Sequence, residues 1–438
     1  GIIVGVLIIL LRLLVEWTQA SFLPDADPEN YEMLSWQMRV VLLMVGSTIL
    51  AGIYALLSKP TPRVGVIHVL ERLAYYEGHL PFKNTVLQFF GAALAIISGH
   101  SVGREGPSVH IGAGAASIMG RRLRLPNNSV RNLVACGAAA AIASSFNTTL
   151  AGVIFAMEVI LMEYTIAGFT PVILAAVSAT VVSRIVFQTD PVFLVPALEL
   201  VSFWELSVIV IMGILIGGVA AGFIRTLKWI TAKSLPYHIS LRIMVAGIGL
   251  AICSYFVPEV MGIGYDTVNA AFLSDIAILA LCLIAIVKLI ATALSVGLGV
   301  PGGLIGPTLF IGALVGAMVG QIVNLIPGQL SHPGLYAMLG MGAMMGATLQ
   351  APLAALIALL ELTGNQNIIF PGMLAIVSAN LAAKELFGQE SIYLSQMKEI
   401  GLDYRNDPIA QSLRRFAVAS IMNRDFSIVK SSLTHQQA

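Results

Sequence analysis

The sequence predicts an all-α, polytopic membrane protein built from two related halves. Three observations support this prediction: the composition is strongly apolar, several apolar runs match the thickness of a bilayer, and two motifs recur along the chain. Hydrophobic residues make up 57% of the 438 residues and charged residues only 11%, with a mean hydropathy of +0.88. A soluble domain carries about 25% charged residues, so we expect a lipid bilayer around this chain.

Uninterrupted apolar runs indicate the membrane spans. The runs 1–17, 40–57, 206–224 and 276–300 are each close to the length that crosses a bilayer as a helix, which takes roughly 20 residues. The net charge of +1 gives no basic face for nucleic acid, so a nucleic-acid partner is not expected. The sequence therefore predicts an integral protein of a cell (inner) membrane.

An internal repeat indicates the domain organisation. "GPSVHIGA" at 106–113 matches "GPTLFIGA" at 306–313, and "LAGVIFAMEV" at 150–159 matches "LAALIALLEL" at 353–362. The two matches keep the same order and nearly the same separation. We predict one transmembrane half at 1–190, a second at 200–400, and a cytoplasmic tail at 401–438.

Charge placement predicts that the two halves are inverted relative to each other. The segment 24–32 after the first run is acidic and is expected outside, whereas Lys59 and Arg63 after the second run are expected inside. In the second half the order is reversed, because the first span leads into a predicted inside loop that carries Arg225, Lys228, Lys233 and Arg242. Inverted halves with broken helices typically hold a substrate where half-helix ends meet near the bilayer midplane.

Each half contains a glycine-rich break, "GREGP" at 103–107 and "GLGVPGGLIGP" at 297–307. Proline is favoured in the first turn of a helix, so Pro107 and Pro307 each predict a helix start. Free N–H groups and the helix dipole favour an anion at such a start. The alternative is that these glycines only permit close helix crossing.

Glu105 is the principal candidate residue, because an ionisable group inside a membrane is a functional candidate by default. Its carboxylate can occupy the place of a diffusing anion, and protonation would release it, so it can serve as gate and proton carrier. The alternatives are a partner for the helix dipole or an Arg104–Glu105 pair. Glu158 and its repeat mate Glu361 could mark a proton route or the polar end of a helix.

His110 is expected to pack in the core against a backbone group. No cluster of His, Cys and carboxylate residues accompanies it in the sequence, so no metal site is expected, and no cofactor is expected either.

"GREGPSVHIG" together with "GLGVPGGLIGPTLFIGA" closely resembles the CLC family of chloride channels and proton-coupled chloride exchangers, from about residue 1 to 400. The resemblance implies a CLC-type inverted repeat of many short, tilted and broken helices. It also implies a homodimer in the lipid bilayer with one anion pathway per subunit, and chloride and protons as the transported ions.

The resemblance also implies the site residues. Glu105 matches the gating glutamate of the family, and Tyr393 in "ESIYLSQ" matches a tyrosine whose hydroxyl contacts the central anion. Leu304 and Ile305 match the residues whose backbone N–H groups hold that anion. In "RVGVI" at 63–67 the family serine is replaced by Val64, so a hydroxyl ligand is lost. The expected anion-binding set is Leu304, Ile305, Tyr393, Val64, Gly65 and Gly106.

A second departure concerns proton transfer. Many exchangers carry two adjacent glutamates after "LAGxxF", whereas this chain has Glu158 followed by Val159. Proton-coupled exchange gated by Glu105, with Glu158 as a proton-transfer candidate, is the main hypothesis, and a passive chloride channel is the alternative. A remote alternative is an intramembrane enzyme that uses Glu105 or Glu158 as acid or base, but no catalytic constellation in the sequence supports it.

Two further features bear on which members of the family the chain resembles. "GLGVPGG" keeps the chloride-type form rather than that of the fluoride exporters. In the tail, "VASIMNRDFSIV" resembles the opening strand of a CBS regulatory domain.

Overall fold

A computed structural model describes residues 1–24, 28–57, 63–187, 193, 200–326 and 331–402. Within these residues the chain folds into helices without a regular β-strand. Among the described helices, nine are long and apolar enough to cross a membrane. The predicted all-α, polytopic class is therefore confirmed. The predicted tail beyond residue 402 lies outside the described residues.

Eight helices lie in the described residues of the first half, and the seventh continues into a π-helical segment. Their bounds are α1 (Ile2–Ala20), α2 (Trp36–Leu56), α3 (Gly65–Tyr75), α4 (Phe82–Ile97), α5 (Glu105–Arg122), α6 (Asn127–Phe146), α7 (Thr149–Phe155, with the π-helical segment Ala156–Leu161) and α8 (Ile166–Val186).

The second half follows the same succession of long and short helices. Their bounds are α9 (Glu205–Ser234), α10 (Ile239–Phe256), α11 (Tyr265–Leu273), α12 (Ile278–Gly297), α13 (Ile305–Val323), α14 (Pro333–Leu349), α15 (Pro352–Thr363), α16 (Ile369–Leu381, with the π-helical segment Ala382–Leu386) and α17 (Ile392–Glu399). Short 3₁₀ turns at Pro258–Val260 and Gln366–Ile368 complete this half.

Glycines allow the central helices to cross at backbone contact. In the first half, a side chain on Gly112 of α5 would collide with the backbone of Gly137 of α6. In the second half, Gly312 of α13 meets Gly340 of α14 in the same way. Small residues at crossing points let membrane helices pack closely. The glycines of the repeat motifs therefore do serve helix crossing, and equivalent positions do so in both halves.

Two repeat-related glutamates cap each other's helices. Glu158, in the π-helical segment after α7, accepts hydrogen bonds from the backbone N–H groups of Leu353 (3.4 Å) and Ala354 (2.7 Å) at the start of α15. Glu361 of α15 accepts from Leu150 (3.0 Å) and Ala151 at the start of α7. This exchange supports the prediction of two related halves, whose bounds and orientation in a membrane stay predictions.

One local expectation was wrong. Most of the predicted inside loop with Arg225, Lys228, Lys233 and Arg242 is helical, because α9 continues to Ser234 and α10 begins at Ile239. The first three of these basic residues lie on the last three turns of α9, so the helix extends through polar residues that an apolar-run criterion excludes.

Candidate functional site

The two glycine-rich breaks meet at the centre of the protein. Gly103 donates its N–H to the carbonyl of Gly303 at 2.8 Å, and Gly303 donates to the carbonyl of Gly103 at 2.6 Å. These equivalent residues thus form an isolated antiparallel bridge. A reciprocal pair of this kind places a local two-fold axis between the two residues, as expected for an inverted repeat.

Helix α5 begins at Glu105 and α13 begins at Ile305, immediately after the bridge. Pro107 and Pro307 therefore lie in first turns, as predicted. Helix α3 begins at Gly65, and none of these three helices has a side-chain hydrogen bond capping its N-terminus. The first N–H groups of a helix have no partner within it, so each start offers donors to a ligand.

The three helix starts contribute to one open pocket of about 780 Å³. Val64 and Gly65 come from α3, Gly106 from α5 and Leu304 from the residue before α13, and Tyr393 of α17 completes this group. Arg63, Arg242 and Glu399 also line the pocket, and Arg63 pairs with Glu71 at 2.9 Å. The structure thus brings together five of the six residues expected at the anion site.

Ile305, the sixth residue, is the first residue of α13, where its amide belongs to the helix start. Its side chain lines a separate small cavity with Phe146 and Leu309. The hydroxyl of Tyr393 is buried and has no hydrogen-bond partner among the described residues. A backbone amide from Ile305 and the Tyr393 hydroxyl are therefore both free for a ligand.

Glu105 is fully buried between the two breaks. Its carboxylate lies so close to Gly103, Gly303 and Gly306 that a Cβ on Gly303 would be 2.7 Å from Oε2 and one on Gly306 2.9 Å from Oε1. No side chain of the described residues pairs with either oxygen, and the nearest donors are the backbone N–H groups of Glu105 and Gly306 at the starts of α5 and α13. Because buried carboxylates are normally paired, this geometry distinguishes Glu105 as a group held ready for another ligand or a proton.

The ion pair of Arg104 in the described structure is with Glu16 of α1, at 3.8 Å, and not with Glu105. Glu16 also bonds Arg12 at 2.5 Å, as the i, i+4 spacing predicts. The guanidinium lies 5.6 Å from the ring centre of Phe146 and 5.8 Å from that of Tyr265. Arg104 therefore ties the break to α1, α6 and α11.

Glu158 is not among the residues that line the pocket. Its carboxylate is engaged by the start of α15, and the following residue, Val159, is buried and apolar. The role of Glu158 in proton transfer stays a prediction, whereas its role at the end of a helix is the one that the structure displays.

His110 packs against a side chain rather than a backbone group, which corrects the expectation. Its Nε2 lies 2.8 Å from Nδ1 of His68, and Arg72 donates to Nε2 of His68 at 3.0 Å. Since Nε2 of His68 accepts, its Nδ1 carries the proton and donates to His110. No group of three or more His, Cys, Asp or Glu residues in the described ranges could hold a metal ion.

Sequence reasoning missed the positioning role of Lys288. This buried residue of α12 donates to the carbonyls of Val260 (3.2 Å), Gly262 (3.0 Å) and Ile263 (3.1 Å), and it lies 4.4 Å from the ring centre of Phe310. Ile263 in turn packs against Gly306, beside Glu105. The signal in the sequence was a single lysine inside the apolar run 276–300, because a charged side chain within a membrane span normally requires buried partners.

Gln88 and Tyr54 were missed as well. Both side chains line the pocket, and their polar atoms are buried without a partner among the described residues. The available signal was a lone amide inside the apolar stretch "VLQFFG" of α4.

Two relatives are similar to the chain over most of its length. A putative chloride channel protein, ClcB-like, of Ralstonia nicotianae is 34% identical over 372 residues, which cover 82% of this chain and 85% of the relative. The H(+)/Cl(-) exchange transporter ClcA of Vibrio cholerae is 30% identical over 313 residues, which cover 69% of this chain and 67% of the relative.

The fold is also found in solved structures. A slow cyanobacterial Cl-/H+ antiporter superposes with a TM-score of 0.78 at 24% identity, covering 91% of this chain and 96% of the antiporter. Residues 43–384 match the family described as voltage gated chloride channel. The family match and the two relatives show that the chain belongs to the voltage-gated chloride channel (CLC) family of integral membrane proteins, and the paired breaks around Glu105 agree with this.

Proposed function

We propose that the protein exchanges chloride for protons across its membrane, with Glu105 as both gate and proton carrier. The observation that carries this proposal is the fully buried carboxylate of Glu105, which has no side-chain partner among the described residues and lies between two bridged helix breaks. A carboxylate in this place costs free energy unless it is protonated or replaced by another ligand, so the site favours an alternation between the two.

The pocket supplies the anion-binding half of the mechanism. A chloride ion beside Leu304 and Ile305 would accept hydrogen bonds from the backbone N–H groups at the start of α13 and from the hydroxyl of Tyr393. Val64 and Gly65 at the start of α3, and Gly106 in the first turn of α5, would close the site around the ion. Dipoles rather than a lysine or arginine hold the ion at this point, and such a site can release it.

Glu105 supplies the proton-coupled half. When ionised, its carboxylate mimics the anion at the start of α5 and blocks passage. When protonated, it loses its attraction to the helix ends and can leave, which admits chloride and moves the proton to the other side. Coupling follows because the same position accepts either the carboxylate or the chloride ion.

The relatives support the chemistry of this proposal in two ways. One of them is named as an H(+)/Cl(-) exchange transporter and the other as a putative chloride channel. We extend to this chain the chloride ion common to both names. We also infer a homodimer, as the family resemblance implies, and light scattering of the purified protein in detergent would give twice the mass of one chain.

A passive chloride channel is the second candidate, and a specific observation favours it. Val159 is buried and apolar where many exchangers have a proton-accepting glutamate, and Glu158 is bound to the amides of α15. A proton from the cytoplasm then has no carboxylate of the usual kind to receive it, and water in the pocket would have to bring it to Glu105.

Reconstitution separates the two candidates. Purified protein is placed in liposomes with a chloride gradient and no proton gradient, and the external pH is recorded. The exchange proposal predicts proton movement driven uphill by chloride. Chloride flux without proton movement would establish the channel instead, and no chloride flux would refute both.

A further inference from the structure

Gln88 and Tyr54 both line the pocket, and no assigned role explains their buried polar groups. Gln88 of α4 is fully buried, and neither Nε2 nor Oε1 has a hydrogen-bond partner among the described residues. Tyr54 of α2 is also buried, and its hydroxyl has no partner within the same ranges. Buried polar groups are almost always satisfied by protein, water or an ion, so three unsatisfied groups in one pocket indicate a ligand.

The packing of α2 against α4 brings both residues to the same pocket. Gly91 of α4 leaves room for Pro301, because a Cβ on Gly91 would lie 3.2 Å from Cγ of Pro301. The same Cβ would lie 4.0 Å from Cδ2 of Leu50 on α2. Gln88 lies about one helical turn from Gly91, and Tyr54 lies about one turn from Leu50. Both residues line the pocket, together with Val300, Pro301 and Leu304 of the break before α13.

The chemistry of these two side chains matches what the pocket lacks. Val64 at the start of α3 offers no hydroxyl, whereas the Gln88 amide offers two N–H donors and the Tyr54 hydroxyl offers one O–H donor. Together the two side chains offer three donors to a small monovalent anion, in a pocket that Arg63 and Arg242 also line. Oε1 of Gln88 can accept from a water molecule that remains on the ion.

We propose that Gln88 Nε2 and Tyr54 Oη bind a partly hydrated halide ion in the pocket and replace the hydroxyl that Val64 cannot supply. This inference rests on the proposed function. It assigns to α2 and α4 a share of anion affinity and selectivity, in addition to the starts of α3 and α13 and Tyr393.

Calorimetric titration of the full chain in detergent with chloride tests the assignment. Gln88→Met keeps the volume of the side chain and removes the amide, and Tyr54→Phe removes only the hydroxyl. Each loses a hydrogen bond to a charged ligand, so we expect each variant to bind chloride about tenfold more weakly or worse. Adding Val64→Ser to Gln88→Met restores a hydroxyl donor and should recover most of the lost affinity.

A matched control is Gln321→Met on α13. Gln321 donates to the carbonyl of Ile276 and does not line the pocket, so chloride affinity should stay unchanged. Helix content and a monodisperse elution profile establish that each variant is folded, and Tyr54→Phe carries the test if Gln88→Met fails this criterion.

The outcomes separate this inference from the proposed function. Wild-type affinity in both folded variants would overturn the assignment while leaving chloride transport intact. Failure of Val64→Ser to recover affinity would overturn the claim that Gln88 replaces the missing hydroxyl. A wild-type protein that neither binds nor transports chloride would refute the proposed function itself.

Discussion

Replacement of Gly106 by alanine should separate the two breaks and damage the anion site. A Cβ on Gly106 would lie 2.9 Å from Cα of Gly303 and 3.1 Å from the carbonyl oxygen of Gly302, both of them backbone atoms. Ordinary contacts begin at 3.4 Å, so the break must move by at least about 0.5 Å. The two bridge hydrogen bonds of 2.6 and 2.8 Å would then lengthen.

The expected cost follows from this displacement. Overpacking of a tight site typically costs about 1–3 kcal/mol, which should lower the Tm of the detergent-solubilised protein. Loss of a single hydrogen bond to a charged ligand is worth about 1.5–3 kcal/mol. Chloride flux into liposomes should therefore fall about tenfold or more in Gly106→Ala.

Gly222→Ala provides the matched control. Gly222 lies in α9 with nothing within 4 Å of an added Cβ, so alanine should raise stability by about 0.5–1 kcal/mol through helix propensity and leave the flux unchanged. Wild-type flux and Tm in Gly106→Ala would refute the reasoning that contact between the breaks holds the site.

Two further predictions concern carboxylates outside the pocket. Glu158→Gln and Glu361→Gln should lower the free energy of unfolding by similar amounts, about 0.3–1 kcal/mol, because each loses its interaction with a helix start. Both changes should have the same effect on proton coupling. A loss of proton movement in Glu158→Gln alone would instead identify Glu158 as a proton carrier. Burial raises the pKa of Glu29, in the loop after α1, to about 7 against the opposing effect of Arg104. The folded state therefore binds this proton more tightly, and the stability it contributes is present below about pH 4.5 and is lost as pH rises through 7. The decline of Tm between pH 5 and 7.5 should be smaller in Glu29→Gln, and an identical decline would contradict this assignment.

The class of fold and the principal site could be predicted because their signals are local in the sequence. Apolar runs give spans, and "GREGP" and "GLGVPGG" give helix starts by the chemistry of glycine and proline. The repeat related Gly103 to Gly303, although only the structure shows that they pair directly. In this respect the sequence indicated the parts of the site and not their contact.

The remaining features depend on contacts between distant segments. Glu158 and Glu361 were visible as repeat mates, but their exchange of caps requires the start of each helix to lie beside the other glutamate. A pair of Arg104 with its sequence neighbour was one alternative, whereas packing brings Glu16 of α1 to it. Gln88 was overlooked because a single amide in an apolar run has no periodicity, and its meaning depends on the pocket that it faces.

The most direct test of the account is proton movement in Glu105→Gln, measured beside the wild-type protein in liposomes with an imposed chloride gradient. Glutamine fills the same space and cannot carry a proton as a carboxylate does. The account predicts uphill proton movement in the wild-type protein and none in Glu105→Gln, with chloride flux retained or increased. Proton movement that persists in Glu105→Gln would contradict the assignment of Glu105 as gate and proton carrier.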